Sequence, residues 1–224
     1  MDSEKNAHAV GGSPYQYLSG RKAVMPFPVS IQSAPVVWDT LPVAKLTEYP
    51  FAKGAYRPFS QARICFVPDQ GLFIRMWSFE AQYRCEELEP RVLLEDSCMT
   101  VCLSEGGQRY LQITLNANAV ACIQECGEQG LLREFGADFL HSLHAFTGED
   151  LQGEYWGIEF LLPNKFWQQD LSFSPLRIGG NFQGNFYSTR LDGMKEHFGC
   201  FYPVHSRKPA FLPESFGNFQ VIDY

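Results

Sequence analysis

Hydrophobic and polar residues alternate with a period of two over several stretches of the chain, which is the pattern of half-buried β-strands. The clearest alternation covers residues 72–80. One face of this predicted strand carries Leu72, Ile74, Met76 and Ser78, and the other carries Phe73, Arg75, Trp77 and Phe79. An apolar run at 62–67 precedes it, and the turn sequence Pro-Asp-Gln-Gly at 68–71 joins the two. We therefore predict a β-hairpin with one face that mixes arginine with aromatic rings.

Short runs of the same kind recur along the chain, separated by turn residues. Further strands are predicted at residues 36–38, 42–46, 98–103, 110–115, 120–124 and 155–162. Residues 131–147 fit either a short helix or an extended run, and 163–167 predict a helical turn.

Many short strands and no dividing linker predict an all-β fold, an antiparallel β-sandwich with one or two short helices. Residues 1–22 are rich in glycine, serine and charge, so we expect a flexible N-terminal lead-in there. Residues 23–224 are expected to form a single β-sandwich domain.

The charge balance excludes several partners. The 224 residues carry a formal net charge of −7, and the sequence pI is near 5.2. Nucleic acids and anionic membranes require a basic surface, so neither is expected as a partner. No stretch approaches the roughly 18 apolar residues of a membrane-spanning helix. The polar first residues are not followed by an apolar core, so we expect no secretory signal and a cytoplasmic location.

The chain has seven cysteines, and in the absence of an export signal we expect reduced, mostly buried thiols. Cys98 and Cys102 are four residues apart, as are Cys122 and Cys126. Residues four apart on a strand share a face, but their sulfur atoms are separated by about 13 Å. Structural zinc usually prefers a tighter knuckle, so we predict no metal site from these residues.

Glycine, asparagine and proline alternate with aromatic residues in two segments near the C-terminal end. These are Gly-Asn-Phe-Tyr-Ser at 184–188 and His-Phe-Gly-Cys-Phe-Tyr-Pro at 197–203. This composition predicts stiff turns that hold rings at fixed angles, a surface suited to flat, partly apolar ligands such as sugars. Groups for proton transfer are lacking there, so we predict a binding protein rather than an enzyme.

Three groups of residues, in register from about residue 35 to the end, carry a resemblance to a known family. The first is Asp96-Ser97-Cys98 with Tyr110 and Asn116. The second is Trp156 and Glu159 ahead of Leu162-Pro163. The third is the two aromatic segments just described, followed by Pro209, Phe211, Pro213-Glu214 and Phe216-Gly217. This set resembles the family 9-like carbohydrate-binding modules. The resemblance implies a jelly-roll β-sandwich that binds sugars without cleaving them. Some relatives in this family also hold calcium.

In that family two tryptophans clamp a sugar, and Phe201 matches the position of one of them. The chain departs from the family pattern at Thr100 and Thr114, where the family has glutamates, and at Leu93 and Leu94, where the second clamp tryptophan is expected. We predict stacking of a mono- or oligosaccharide on Phe201, with Trp77 or Tyr202 as a further ring. Hydroxyl contacts are predicted from Arg75, Asn118, Asn185 and His197.

Two other functions remain open. The departures at Thr100, Thr114 and Leu94 suit an accessory or protein-interaction module that has lost sugar binding. A small hydrolase would need paired carboxylates across a cleft. In this sequence the candidate carboxylates lie in an acidic loop. That loop carries Glu86, Glu87, Glu89, Glu95 and Asp96. We expect the crowded loop to be solvated instead.

Overall fold

The computed structural model describes residues 25–52, 54–86, 89, 95–191 and 193–223. The predicted lead-in at 1–22 lies outside these residues, and so do Leu93 and Leu94. Among the described residues, no helix is long and apolar enough to cross a membrane.

The described chain is built from strands with a few short helical turns. The strands are β1 Phe27–Ile31, β2 Ala44–Leu46, β3 Phe59–Val67, β4 Gly71–Phe79, β5 Cys98–Ser104, β6 Tyr110–Asn116, β7 Ala121–Gly127, β8 Gly130–Phe135, β9 His141–Asp150, β10 Gly153–Pro163, β11 Asn181–Arg190, β12 His197–Cys200 and β13 Gly217–Ile222. Three 3-10 turns lie at Trp38–Thr40, Ala137–Phe139 and Pro213–Ser215, and a π-helix spans Phe166–Asp170. The fold is therefore all-β, as predicted.

The strands form one hydrogen-bonded sheet in the order β8-β7-β6-β5-β11-β13-β1-β3-β4-β10-β9, with β12 added to β11 and β2 added to β3. Most neighbours are antiparallel. β1 runs parallel to both β13 and β3, so the prediction of a wholly antiparallel arrangement is wrong at this strand. The jelly-roll arrangement stays a prediction.

The sheet curls because its two end strands are joined directly. β8 ends at Phe135 and β9 begins at His141, yet these strands lie at opposite ends of the sheet order. A link this short spans at most about 20 Å. Phe135, Phe139 and Phe166 pack ring against ring at this closure, with centroids 4.8–5.3 Å apart. The sheet therefore bends into an open half-cylinder.

The inner face of the curled sheet encloses the main core. Its largest fully buried side chains include Trp156, Trp167, Phe160, Phe182, Phe186 and Phe219. In β4 the predicted alternation is confirmed, because Leu72, Ile74 and Met76 are buried in this core. Each such side chain contributes roughly 1.5–3 kcal/mol by leaving water.

A second, smaller core lies on the other face of β5 and β11. It contains Cys102, Tyr110, Cys126, Tyr187, Phe198, Cys200 and Val204. Phe51, Phe211 and Phe216 pack against it, so β5 is buried along its whole length. All seven cysteines are free thiols, with Cys85 and Cys122 half-buried and the other five buried.

Several local predictions are corrected. Residues 184–188, where stiff turns are predicted, lie in the central strand β11, and the second predicted turn segment begins with strand β12. The stretch 131–147 is extended, since most of it belongs to β8 and β9. Trp38 starts a 3-10 turn where a strand was predicted at 36–38. The helical turn predicted at 163–167 exists as the π-helix that begins at Phe166.

Candidate functional site

The outer face of β3, β4, β10 and β9 carries ordered rows of aromatic and charged side chains. Strand pairing places Phe59, Phe79, Tyr155 and Gly148 in one row. The next row contains Gln61, Trp77, Gly157 and Phe146. The third row contains Arg63, Arg75, Glu159 and His144. The face that mixes arginine with aromatic rings is thus real, and β10 and β9 extend it.

Gly157 lets the ring of Phe146 lie close to the sheet in the middle row. It pairs with Trp77 on one side and with Phe146 on the other. A Cβ atom at Gly157 would lie 2.4 Å from Cζ of Phe146 and 2.5 Å from the carbonyl oxygen of Met76. Glycine is therefore required, because it permits the close approach of a neighbouring ring and backbone.

A pocket of about 190 Å³ lies on this outer face. It is lined by Asp39, Arg63, Arg75, Trp77, Phe79, Phe146, Asp150 and Tyr155. We call these eight residues the outer-face trough. The combination of aromatic walls with a few charged groups is typical of binding sites for small polar ligands.

Arg75 presents a guanidinium group that the surrounding rings orient. Its central carbon lies 4.5 Å from the ring centroid of Phe146 and 5.9 Å from that of Trp38. Its Nε atom is 3.9 Å from a carboxylate oxygen of Glu159, which is longer than a hydrogen bond. Within the part of the chain that the structure describes, Arg75 makes no hydrogen bond.

Arg63 is held by the turn that begins at Trp38. Its Nη1 donates to the carbonyl oxygen of Trp38, and to Oδ1 of Asp39 at 3.0 Å. Its guanidinium carbon lies 5.5 Å from the ring centroid of Trp77. Its buried Nε finds no hydrogen-bond partner. The cation therefore borders the trough with part of its donor capacity unused.

Phe201 and Tyr202 lie elsewhere in the fold. Phe201 is half-buried against the main core, with ring centroids 5.3 Å from Phe27 and 4.6 Å from Tyr202. The Tyr202 hydroxyl donates to the carbonyl oxygen of Asn218 at 2.9 Å, and its ring covers Gly217. Burial raises the pKa of this phenol. Phe201 and Trp77 therefore do not share one cleft.

Asn185 is fully buried, and its amide satisfies the backbone. Its Nδ2 donates to the carbonyl oxygens of Tyr202 and Ser215, both at 2.9 Å. Its Oδ1 accepts the backbone N–H groups of Phe186 and Tyr202 at the same distance. An amide has four such bonds to make. Asn185 connects the segment after β12 to β11 through these hydrogen bonds. Its amide has no hydrogen-bonding capacity left for a ligand.

His197 is buried as well, with 1% of its surface exposed. Its Nδ1 is 2.8 Å from the carbonyl oxygen of Lys195, and its Nε2 is 3.3 Å from the hydroxyl of Ser188. Burial lowers the pKa of the imidazole. Asn185 and His197 are left out of the site proposed below.

Asn118 is exposed and borders a different surface pocket. That pocket is lined by Gln82, Tyr83, Arg84, Cys85, Glu86, Asn118, Glu154 and Arg190. Of the seven predicted binding residues, Arg75 and Trp77 line the same pocket.

The two threonines that replace family glutamates face one another across β5 and β6. Thr100 and Thr114 are paired in register, and their hydroxyls are 2.9 Å apart. Both are buried. They therefore bond to each other rather than to a ligand.

Among the residues that the structure describes, no group of three or more histidine, cysteine, aspartate or glutamate side chains could hold a metal ion. Calcium takes six to eight oxygen ligands. Calcium binding, which the resemblance implies for some relatives, stays a prediction.

Sequence reasoning did not single out Arg63, Phe146 and Tyr155, which line the outer-face trough, or Gly157, against which Phe146 packs. Tyr155, Gly157 and Glu159 alternate along a predicted strand, which is the signal that pointed to an outer face. The pairing of β4 with β10 joins residues about 80 positions apart in sequence, so local patterns could not place them beside Trp77.

Two solved structures have the same fold as this chain. One is a candidate carbohydrate-binding protein from Bacteroides uniformis ATCC 8492, with a TM-score of 0.73 and 20% identity over 88% of this chain and 98% of that chain. The other is a carbohydrate-binding module of family 9 from Caldicellulosiruptor kristjanssonii in complex with cellotriose. It has a TM-score of 0.60 and 12% identity over 89% of this chain and 95% of that chain. No protein-family model and no curated protein sequence matches the chain. The chain has the fold of the family 9-like carbohydrate-binding modules.

Proposed function

We propose that this protein binds carbohydrate in the outer-face trough. The observation that carries the proposal is the pocket in which aromatic rings, Trp77 and Phe146 among them, lie beside charged side chains. A sugar ring has an apolar face of C–H groups and a rim of hydroxyls. The trough offers aromatic rings to the C–H face and polar groups to the hydroxyls.

Stacking on Trp77 and Phe146 supplies the apolar contact. Phe79 and Tyr155 continue the aromatic surface, with ring centroids 5.3 Å apart. These rings are held in place by the sheet, so little conformational entropy is lost when a ligand binds. Phe201, the platform that the sequence favoured, is not part of this mechanism.

Hydroxyl groups of the sugar bond to Arg75, Arg63 and Asp150. Each hydrogen bond contributes only about 0.5–1.5 kcal/mol net, since water competes for the same groups. We therefore expect dissociation constants in the micromolar to millimolar range for a single sugar.

The size of the pocket fits one sugar ring. Its volume of about 190 Å³ is below the roughly 300–1,000 Å³ that holds drug-sized ligands. A longer saccharide would place one unit in the trough and extend the others over the sheet surface.

The fold supports the proposal, because the structurally similar module from Caldicellulosiruptor kristjanssonii binds cellotriose. The proposed activity is binding without bond cleavage. Glycoside hydrolysis needs one carboxylic acid held protonated by a poorly solvated environment and a second carboxylate across the cleft. Asp39 has a side chain that is 99% exposed, and Asp150 is exposed too, so neither has that environment.

Titration calorimetry against a panel of mono- and oligosaccharides tests this function. We expect at least one ligand to bind, and Trp77→Ala to weaken it at least tenfold. Phe201→Ala is the matched control, since it removes a half-buried ring outside the trough. The proposed site would be wrong if Trp77→Ala binds the sugar as tightly as the wild type while a folded Phe201→Ala protein loses binding. That result would favour Phe201 as the stacking ring. Chromogenic glycosides should stay uncleaved.

The alternative function is an accessory or protein-interaction module. The observation in its favour is β8 at the end of the sheet order, where Leu131 and Leu132 are 53% and 50% exposed. An end strand of this kind can pair with another chain through its backbone groups. Two results together would favour this function. A glycan array would show no bound sugar, and light scattering would show concentration-dependent association that Leu131→Lys abolishes.

A further inference from the structure

Two arginines lie directly opposite each other beside the trough. Arg63 on β3 pairs with Arg75 on β4, and both side chains are on the outer face. Like charges at directly opposed positions destabilise an antiparallel pair. The two arginines lie in the strands that form the wall of the proposed binding site.

The carboxylates of the protein compensate these cations only in part. Asp39 accepts a hydrogen bond from Arg63, but its side chain is 99% exposed, so water screens this ion pair. Glu159 stays 3.9 Å from Arg75, too far for a hydrogen bond. Asp150 also lines the pocket, but it accepts a hydrogen bond from the backbone N–H of Gln152 at 2.7 Å.

The donors of Arg75 are oriented as well as unused. Phe146 and Trp38 contact its guanidinium, and contacts of this kind restrict the rotation of the group. A guanidinium held in this way presents a planar fork of N–H groups along its edge. This fork matches the two oxygens of a carboxylate.

We propose that the trough selects a sugar that carries a carboxylate, that is, a hexuronic acid, and this inference rests on the proposed function. The carboxylate binds to Arg75 with Arg63 beside it, while the sugar ring stacks on the aromatic rings that line the pocket. The ligand is a single uronate unit rather than a polyuronate. A polyanion would be repelled by the net charge of −7, whereas one carboxylate beside two cations lies well within the screening length of about 8 Å.

Calorimetry with matched ligands tests the inference. The ligands are D-glucuronate and D-galacturonate, their neutral methyl esters, and the 6-sulfates of glucose and galactose. We expect one uronate to bind at least tenfold tighter than its ester, and the preference to shrink as salt increases. An ester that binds as tightly as its acid, or a sulfate that binds as tightly as the uronate, would overturn the inference while leaving sugar binding intact. If no sugar in the set or in the wider panel binds, the proposed function fails as well.

Variants at Arg75 complete the test. Arg75→Gln should reduce the preference for acid over ester to less than about twofold, and Arg75→Lys should give an intermediate value because it retains the charge without the fork. Arg177→Gln is the matched control, since Arg177 is exposed and lies outside the trough. A preference that persists in Arg75→Gln would overturn the inference. If Arg75→Gln fails to fold, Arg75→Lys provides the test. A wild-type preference for acid over ester in Arg75→Lys would then overturn the inference.

Discussion

Trp77 on β4 lies directly opposite Gly157 on β10. Gly157 has no side chain, so the ring of Phe146 from β9 lies against the glycine instead. Phe146 and Trp77 therefore line one pocket together with Arg63 and Arg75. The proposed site thus depends on the register of three strands.

Displacing the ring of Phe146 should weaken ligand binding. In Gly157→Ala the new Cβ would collide with the ring of Phe146 and with the backbone at Met76. We expect a loss of about 1–3 kcal/mol in the free energy of unfolding, because overpacking forces such shifts. Urea denaturation and calorimetry measure the two effects. Gly54→Ala is the control, since no atom lies within 4 Å of a Cβ there. Wild-type stability and affinity in Gly157→Ala would contradict the close packing described here.

Asn185 is expected to act on stability rather than on ligand binding. Asn185→Ala leaves the buried carbonyl groups of Tyr202 and Ser215 without their donor. Each buried polar group left unpaired costs about 1–3 kcal/mol. We expect the free energy of unfolding to fall by at least about 2 kcal/mol, as measured by urea denaturation.

The control for this variant is Asn118→Ala, which alters an exposed asparagine of the predicted set and should leave stability near wild type. The role is wrong if Asn185→Ala retains full stability and loses sugar binding instead, because that result would restore Asn185 as a ligand contact.

The buried imidazole of His197 should make the protein less stable in mild acid. Its pKa is lowered from 6.5 mainly by burial, with Glu80 opposing and Arg190 assisting the shift. The unfolded chain therefore takes up a proton more readily than the folded chain. The resulting stability is complete above about pH 6.5 and is lost as the pH falls toward the lowered pKa.

Urea denaturation at pH 7.5 and pH 5.5 measures this effect. His197→Gln should show a smaller fall in the free energy of unfolding between the two pH values than the wild type. His141→Gln alters an exposed histidine and serves as the control. Equal falls in His197→Gln and the wild type would exclude His197 as the cause.

Local patterns predicted one part of the site and misassigned another. The alternation at 72–80 placed Arg75 and Trp77 on one face, because period-two burial is a property of neighbouring residues. Glycine and asparagine usually mark turns, so the composition of 184–188 predicts turns there. These residues lie in the buried strand β11 instead, in which Gly184 allows close packing: a Cβ there would lie 2.5 Å from the carbonyl oxygen of Cys102. The partners Gly157 and Phe146 depend on long-range strand pairing, which the sequence of one strand does not encode.

The resemblance to a family was informative about the fold, and the site residues that it implies stay predictions. Phe201 aligns with a sugar-clamping position, yet its ring packs on Phe27 and Tyr202 at the edge of the core. Asn185 and His197 are polar and close to that position in sequence. Both are directed to protein partners, because strand β11 and strand β12 are buried on both faces.

The indole N–H resonances of the four tryptophans provide the most direct test of sugar binding in the trough. Trp156 and Trp167 are buried, and their indoles donate to Glu80 at 3.2 Å and to the carbonyl oxygen of Ser174 at 2.8 Å. Trp77 lines the trough, and Trp38 contacts Arg75 beside it. In a ¹⁵N-correlated NMR titration with the saccharide panel, we expect the Trp77 resonance to shift most and Trp38 to follow, while Trp156 and Trp167 stay fixed. Saturable binding that leaves Trp77 unmoved would contradict the account.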